Sequence, residues 1–186
     1  MDTVTVPVGA GLAGVVGNAM CAYTRPRLLA GYQPNCCVLA TAIAVDVFGY
    51  FGIPARALPV YAEAYNAAFV DAVSRGVEPD PATCRVVQID FHLVAYLPRE
   101  HALLDLTLDQ ASRPDRNLEL SPLFAYCPPE FNPHGGEFAL GNTDGTAVAY
   151  NTVLKQSPPN WRRSADWTDR RRRRGLVAET IRLLTR

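Results

Sequence analysis

Asn35-Cys-Cys-Val-Leu-Ala-Thr-Ala-Ile-Ala-Val-Asp-Val-Phe-Gly-Tyr-Phe-Gly-Ile-Pro-Ala-Arg56 is the stretch on which the fold turns. Pro34 imposes an extended approach, and Asn35 suits the N-cap position at which a helix begins. From Cys36 to Phe51 only Thr41, Asp46 and the thiols interrupt an apolar run, and no polar stripe recurs at helical spacing. A helix that is apolar all round belongs at the centre of a domain. Gly52 and Pro54 stop it. Asp46, inside that run, needs a partner, and Arg56 is the candidate.

Downstream, residues 57–65 predict a strand and residues 66–74 a helical stretch, with Pro79 and Pro81 marking a loop. Two alternating segments follow, Arg85 to Leu97 and Ala102 to Asp109, joined by a turn at Pro98-Arg-Glu-His101. They predict an antiparallel hairpin. In the first segment Val87, Ile89, Phe91, Leu93, Ala95 and Leu97 alternate with Gln88, Asp90, His92 and Tyr96. If Leu97 pairs with Ala102, His92 falls opposite Thr107 and diagonal to Asp105. Beyond Pro114 the chain is loop-rich. A second hairpin, Gly136 to Leu140 and Gly145 to Leu154, is expected about the turn Asn142-Thr-Asp-Gly145. From about Ser164 a helix with Leu176, Val177, Ile181, Leu183 and Leu184 on one stripe would pack on the body, and a short helix loosened by four glycines is expected between Val6 and Met20. The fold class is α+β: a buried helix packed on an antiparallel sheet. The chain reads as a single domain over residues 1–186, with its core at about 30–160 and a basic helical tail at about 161–186.

Length and composition fit that reading. The chain has 186 residues, 48% hydrophobic and 19% charged, which is globular rather than disordered. No apolar run reaches the length of a membrane span. The N-terminus lacks the basic region of a secretory signal, so the expected location is cytoplasmic, with reduced thiols. Five cysteines without a C-x-x-C pair form neither a zinc site nor a disulfide framework. The net charge of zero hides an asymmetry. Residues 161–186 hold nine arginines against three acids, a balance of +6, so the rest of the chain carries −6. The run Arg170 to Arg174 fits an acidic partner, nucleic acid or protein, or the chain's own acidic surface.

A thiol in the first turn of a buried helix meets backbone N–H groups and the positive end of the helix dipole. Both favour a thiolate and can hold an oxyanion. An imidazole to take the thiol proton and a carboxylate to orient that imidazole would complete the machinery. His92 and Asp105 supply both from one face of the hairpin, with Asp90 and Asp109 as competing carboxylates. Cys36 and Cys37 both sit at the helix start. Gln33 lies close enough ahead of them to donate to an oxyanion, His134 beside Gly135-Gly136 could line a substrate pocket, and His101 belongs to a turn exposed to solvent.

Two segments carry a resemblance to a known family. Cys37 to Arg56, ending in Gly-Ile-Pro-Ala-Arg, and His92 to Thr107, with its strand histidine and Asp-x-Thr, resemble the transglutaminase-like branch of the papain-like cysteine enzymes. The resemblance spans about seventy residues. It implies a papain-like core and separates the adjacent thiols: in that family the nucleophile precedes the glycine of Gly-Ile-Pro by fifteen residues, which is Cys37. It further implies His92 as the proton acceptor and Asp105 as its orienting carboxylate. The family's tryptophan two residues after the histidine is Val94 here, and its Asp-Pro-Thr is Asp105-Leu-Thr107. The function so implied is acyl transfer from an amide or thioester, as an amidase, peptidase or deamidase or as an amide-forming acyltransferase or transglutaminase. Neither a metal nor an organic cofactor is expected. The alternative is a non-catalytic binding module that uses its arginine-rich helix.

Overall fold

The computed structural model describes residues 11–24, 36–154 and 159–185. Among them the helices are α1 (Leu12–Thr24), α2 (Cys37–Tyr50), α3 (Ala67–Ser74), α4 (Ala165–Thr168) and α5 (Arg170–Leu184). The strands are β1 (Arg56–Tyr65), β2 (Val86–Leu97), β3 (Ala102–Asp105), β4 (Leu123–Tyr126), β5 (Glu137–Gly141) and β6 (Ala147–Asn151). The fold is α+β, with one antiparallel sheet in the order β4-β3-β2-β1-β6-β5.

Helix α2 is the buried helix of the apolar run, with Leu39, Ile43, Val47 and Phe48 fully enclosed. Its N-cap position is occupied by Cys36, whose side chain makes no capping bond; Asn35, the expected cap, lies outside the described residues. At the other end Gly52 turns left-handed at φ +70° and the Ile53 N–H donates to the Phe48 carbonyl at 2.9 Å. That geometry is the reason for a glycine after the helix.

The hairpin of β2 and β3 has the expected register, with Leu97 opposite Ala102 and Ala95 opposite Leu104. Two expectations about it are corrected. First, the register between β1 and β2 shifts by one: Val60 faces His92 while Ala62 faces Ile89. The extra residue on β2 is a bulge, which flips the alternation of side chains. Val87 and Ile89 therefore pack with Val94 and Tyr96 rather than with Leu93, Ala95 and Leu97. Second, β3 ends at Asp105 instead of continuing to Asp109. The Asp105 carboxylate accepts the Thr107 N–H at 3.0 Å, which bends the chain into a 3-10 turn over Leu108–Ala111. A side chain that captures nearby backbone competes with the sheet ladder.

Strand β4, which the proline-rich loop composition concealed, pairs with β3, placing Leu104 opposite Phe124. The second hairpin forms as expected about Asn142 to Gly145, with Gly145 at φ +85°. Its strand β6 then inserts beside β1, with Tyr61 opposite Asn151.

The core has a layer on each face of the sheet. Helices α1 and α2 bury Val16, Met20, Leu39, Ile43 and Phe48 against Ala95, Leu97 and Leu104, and Leu176, Ile181 and Leu184 of α5 join them. On the other face Leu58, Val94, Tyr96, Leu103, Phe131, Phe138 and Tyr150 pack together. The core thus extends past the expected 30–160 at both ends. Of the helix expected between Val6 and Met20 the structure shows α1 from Leu12, and the residues before Gly11 lie outside the described ones. A Cβ on Gly17 would lie 2.1 Å from the Phe124 ring, so this glycine permits close approach of α1 to β4. Asp46 finds its partner in the arginine run, not in Arg56: the Arg173 Nε and Nη2 donate to its Oδ2 at 3.1 and 3.0 Å. Arg56 instead lies over the Tyr96 ring at 5.5 Å. Among the described residues no helix is long and apolar enough to cross a membrane, and no group of three His, Cys, Asp or Glu is placed to hold a metal.

Candidate active site

Cys37 is the first residue of α2 and is 7% exposed. His92 stands on β2 immediately past the bulge, and Asp105 is the last residue of β3. Both are buried, Asp105 completely. The His92 Nε2 donates to Asp105 Oδ2 at 2.8 Å, the diagonal contact that the hairpin register anticipates. With Nε2 so held, Nδ1 is the nitrogen left to face the Cys37 side chain, whose proximity favours the charged imidazole. Cys, His and Asp therefore come together from a helix N-terminus and two adjacent strands.

Asp105 is anchored by more than His92. Its Oδ1 accepts the Thr107 N–H, and its Oδ2 also accepts the Tyr150 hydroxyl at 3.0 Å. Burial pushes this carboxyl towards its neutral form, but the charge and hydrogen bond of His92 and the Thr107 and Tyr150 donors outweigh burial and hold it below its ordinary value. For His92, burial likewise opposes charge. The Asp105 charge and hydrogen bond and the Cys37 side chain overcome it and raise the imidazole to about 10. The pair thus favours an imidazolium facing a carboxylate. Tyr150, packed between Asp105 and the core, is pushed well above the usual phenol range by burial and by Asp105, so it stays a donor.

The thiol and imidazole open onto a cleft of about 320 Å³, lined also by Phe91, Thr107, Gln110 and Arg113. Thr107 Oγ1 is buried and has no hydrogen-bond partner among the described residues. Cys36 is buried behind Cys37, and its Sγ accepts a hydrogen bond from Gln110 Nε2 at 3.1 Å. The carboxylate that meets His92 is Asp105; Asp90 is exposed on β2, and Asp109 sits on the 3-10 turn.

Of the remaining sequence candidates, Gln33 lies outside the described residues. His134 is exposed and lines a different cavity, so it does not join Cys37 and His92. His101, expected in solvent, is bonded at both ring nitrogens, to the Tyr96 hydroxyl and the Pro128 carbonyl, each at 2.9 Å. The turn places it at φ +50°, packed against Tyr96 and Phe131.

Tyr150, Gln110 and Trp161 were not singled out by the sequence reading. Tyr150 carries the weak signal of a large residue sharing one strand face with Val148, but its reach to Asp105 depends on β6 inserting beside β1. Gln110 depends on the 3-10 turn that replaces the end of the second strand. Trp161 packs against Cys37 and Leu93 from a segment with no periodic pattern. No family model, curated protein or solved structure matches the chain in comparisons with known proteins.

Proposed function

We propose that the chain is a thiol acyl-transfer enzyme built on a papain-like core of the transglutaminase-like branch. In this reading His92 already holds the thiol proton as an imidazolium, and the Cys37 thiolate attacks the carbonyl of an amide or thioester to form the S–C bond. The oxyanion is met by backbone N–H groups at the start of α2. The C–N or C–S bond of the substrate then breaks, and the leaving amine or thiol takes the proton from His92. A thioester on Cys37 remains. Water or an amine, deprotonated by His92, resolves it; the products are an acid in the first case and a new amide in the second. Asp105 orients His92 and stabilises its charged form, and Tyr150 and the Thr107 N–H hold Asp105.

The observation that carries the proposal is the buried His92–Asp105 hydrogen bond with the Cys37 thiol beside the same imidazole in one cleft. Such pairs activate the thiol as a thiolate facing an imidazolium. The test is alkylation by iodoacetamide across pH, mapped by peptide mass spectrometry. Cys37 should label at about pH 6 far faster than Cys36 or Cys127, and His92→Ala should abolish that advantage. Labelling of Cys37 no faster than an ordinary thiol, of pKa about 8.5, would overturn the proposal.

A further inference from the structure

Outside the cleft, a larger cavity of about 580 Å³ opens on the other side of Trp161. Its lining includes Arg56, His134, Thr152, Trp161, Arg162 and Trp167, and among the described residues no aspartate or glutamate. Arg162 lies over the Trp161 ring at 4.4 Å, and Trp161 meets Trp167 edge to face at 4.6 Å. Arg56 lines the cavity from the start of β1 and lies over the Tyr96 ring at 5.5 Å. Among the described residues neither guanidinium pairs with a carboxylate. Two arginines without acids, in a chain whose first 160 residues carry −6, mark a place where positive charge is kept for something else.

We propose that this cavity binds a nucleoside phosphate. Its volume lies within the ordinary range for small-molecule sites. Guanidinium groups match phosphate oxygens in a planar, two-pronged geometry. Indole rings offer flat apolar surface on which a base stacks. The charge count selects the class: two arginines beside an imidazole suit a diphosphate better than a single carboxylate. The ring component is selected by the half-buried indole of Trp167, since Trp161 is buried with Arg162 over its ring; a purely inorganic anion would not use it. Trp161 is the shared wall between this cavity and Cys37, so the ligand would sit one side chain from the nucleophile. The inference stands apart from the acyl-transfer reading, since binding requires neither Cys37 nor His92.

Trp161 and Trp167 are the only two tryptophans of the chain, and both line this cavity, so intrinsic tryptophan fluorescence reports on its wall. Titration of the full chain with adenosine 5′-diphosphate should give a saturable change at submillimolar ligand, weakened by salt. Adenosine and inorganic phosphate should each bind at least tenfold more weakly. Arg56→Gln and Arg162→Gln should each weaken binding by about tenfold, the scale of one charge-assisted hydrogen bond. Both side chains are exposed, so both variants should fold, and calorimetric titration provides a readout independent of changes in fluorescence at Arg162. Cys37→Ala should bind as the parent does. No saturation at millimolar diphosphate, an affinity unchanged from the parent in both arginine variants, or adenosine binding as tightly as the diphosphate would each overturn the proposal.

Discussion

Asp105 accepts three hydrogen bonds in a place with no exposure to solvent, from His92, Thr107 and Tyr150. Its charge is therefore fixed by donors rather than by water. Tyr150→Phe removes one donor without removing the ring. It should cost about 2 kcal/mol, the scale of a hydrogen bond to a charged group, and shift the pH profile of Cys37 alkylation while leaving the fold intact by circular dichroism. The pair also sets a pH window. Folding raises the imidazole from 6.5 to about 10, so its contribution is complete below 6.5 and is lost as pH climbs towards 10. Folding lowers the carboxyl from 3.8, so that contribution is present above 3.8 and is lost as pH falls. These are two views of one ion pair, fully present between 3.8 and 6.5. Urea midpoints measured from pH 5 to pH 9 should fall more steeply in the parent than in Asp105→Asn. At this scale much was legible in the sequence. The parity of His92 and Asp105 depends only on the length of the Pro98 to His101 turn, which is local. Tyr150 was not legible, because its contact is made across the width of the sheet.

Helix α2 owes its position to what packs around it. On one side α1 approaches the sheet so closely that Gly17 faces the Phe124 ring. Gly17→Ala gains helix propensity but overpacks the contact, and should cost about 1–3 kcal/mol. Adding Phe124→Leu should restore part of that loss, read as the urea midpoint of the double variant against each single one. On another side α5 docks by Leu176 and Ile181 and by Arg173 on Asp46. The Asp46 side chain is 40% exposed and that of Arg173 6%, so the pair is worth less than a wholly buried one. Arg173→Met should destabilise by about 1–2 kcal/mol. In sequence the five arginines form one basic block; only the helical turn distinguishes Arg173, which points inward, from Arg170, Arg171 and Arg174, which are exposed. The bulge in β2 was equally hidden, because Val87 to Leu97 alternates without a break and the shift comes from the pairing with β1.

At the level of the whole molecule, the two halves of the sheet are joined by long-range pairing. Strand β1 is flanked by β2, its near neighbour in sequence, and by β6, from far along the chain. Such topologies fold in about milliseconds to seconds, because distant strands must meet before their contacts repay the loss of freedom. Stopped-flow refolding followed at Trp161 and Trp167 should fall in that range. The β5–β6 hairpin was legible from its turn, yet its place beside β1 rather than at the β4 edge was not, because alternation specifies a strand and not its neighbour. This order also bears on how the protein is made. The ribosome delivers Cys36 and Cys37 first, His92 and Asp105 later, and Tyr150 and Trp161 later still. A nascent chain that has reached β3 carries its thiols without the hydroxyl that holds Asp105 or the indole that walls Cys37, and so without the environment that sets them apart from other cysteines. The enclosure of Cys37 and the anchoring of Asp105 are thereby deferred until Tyr150 and Trp161 have been made.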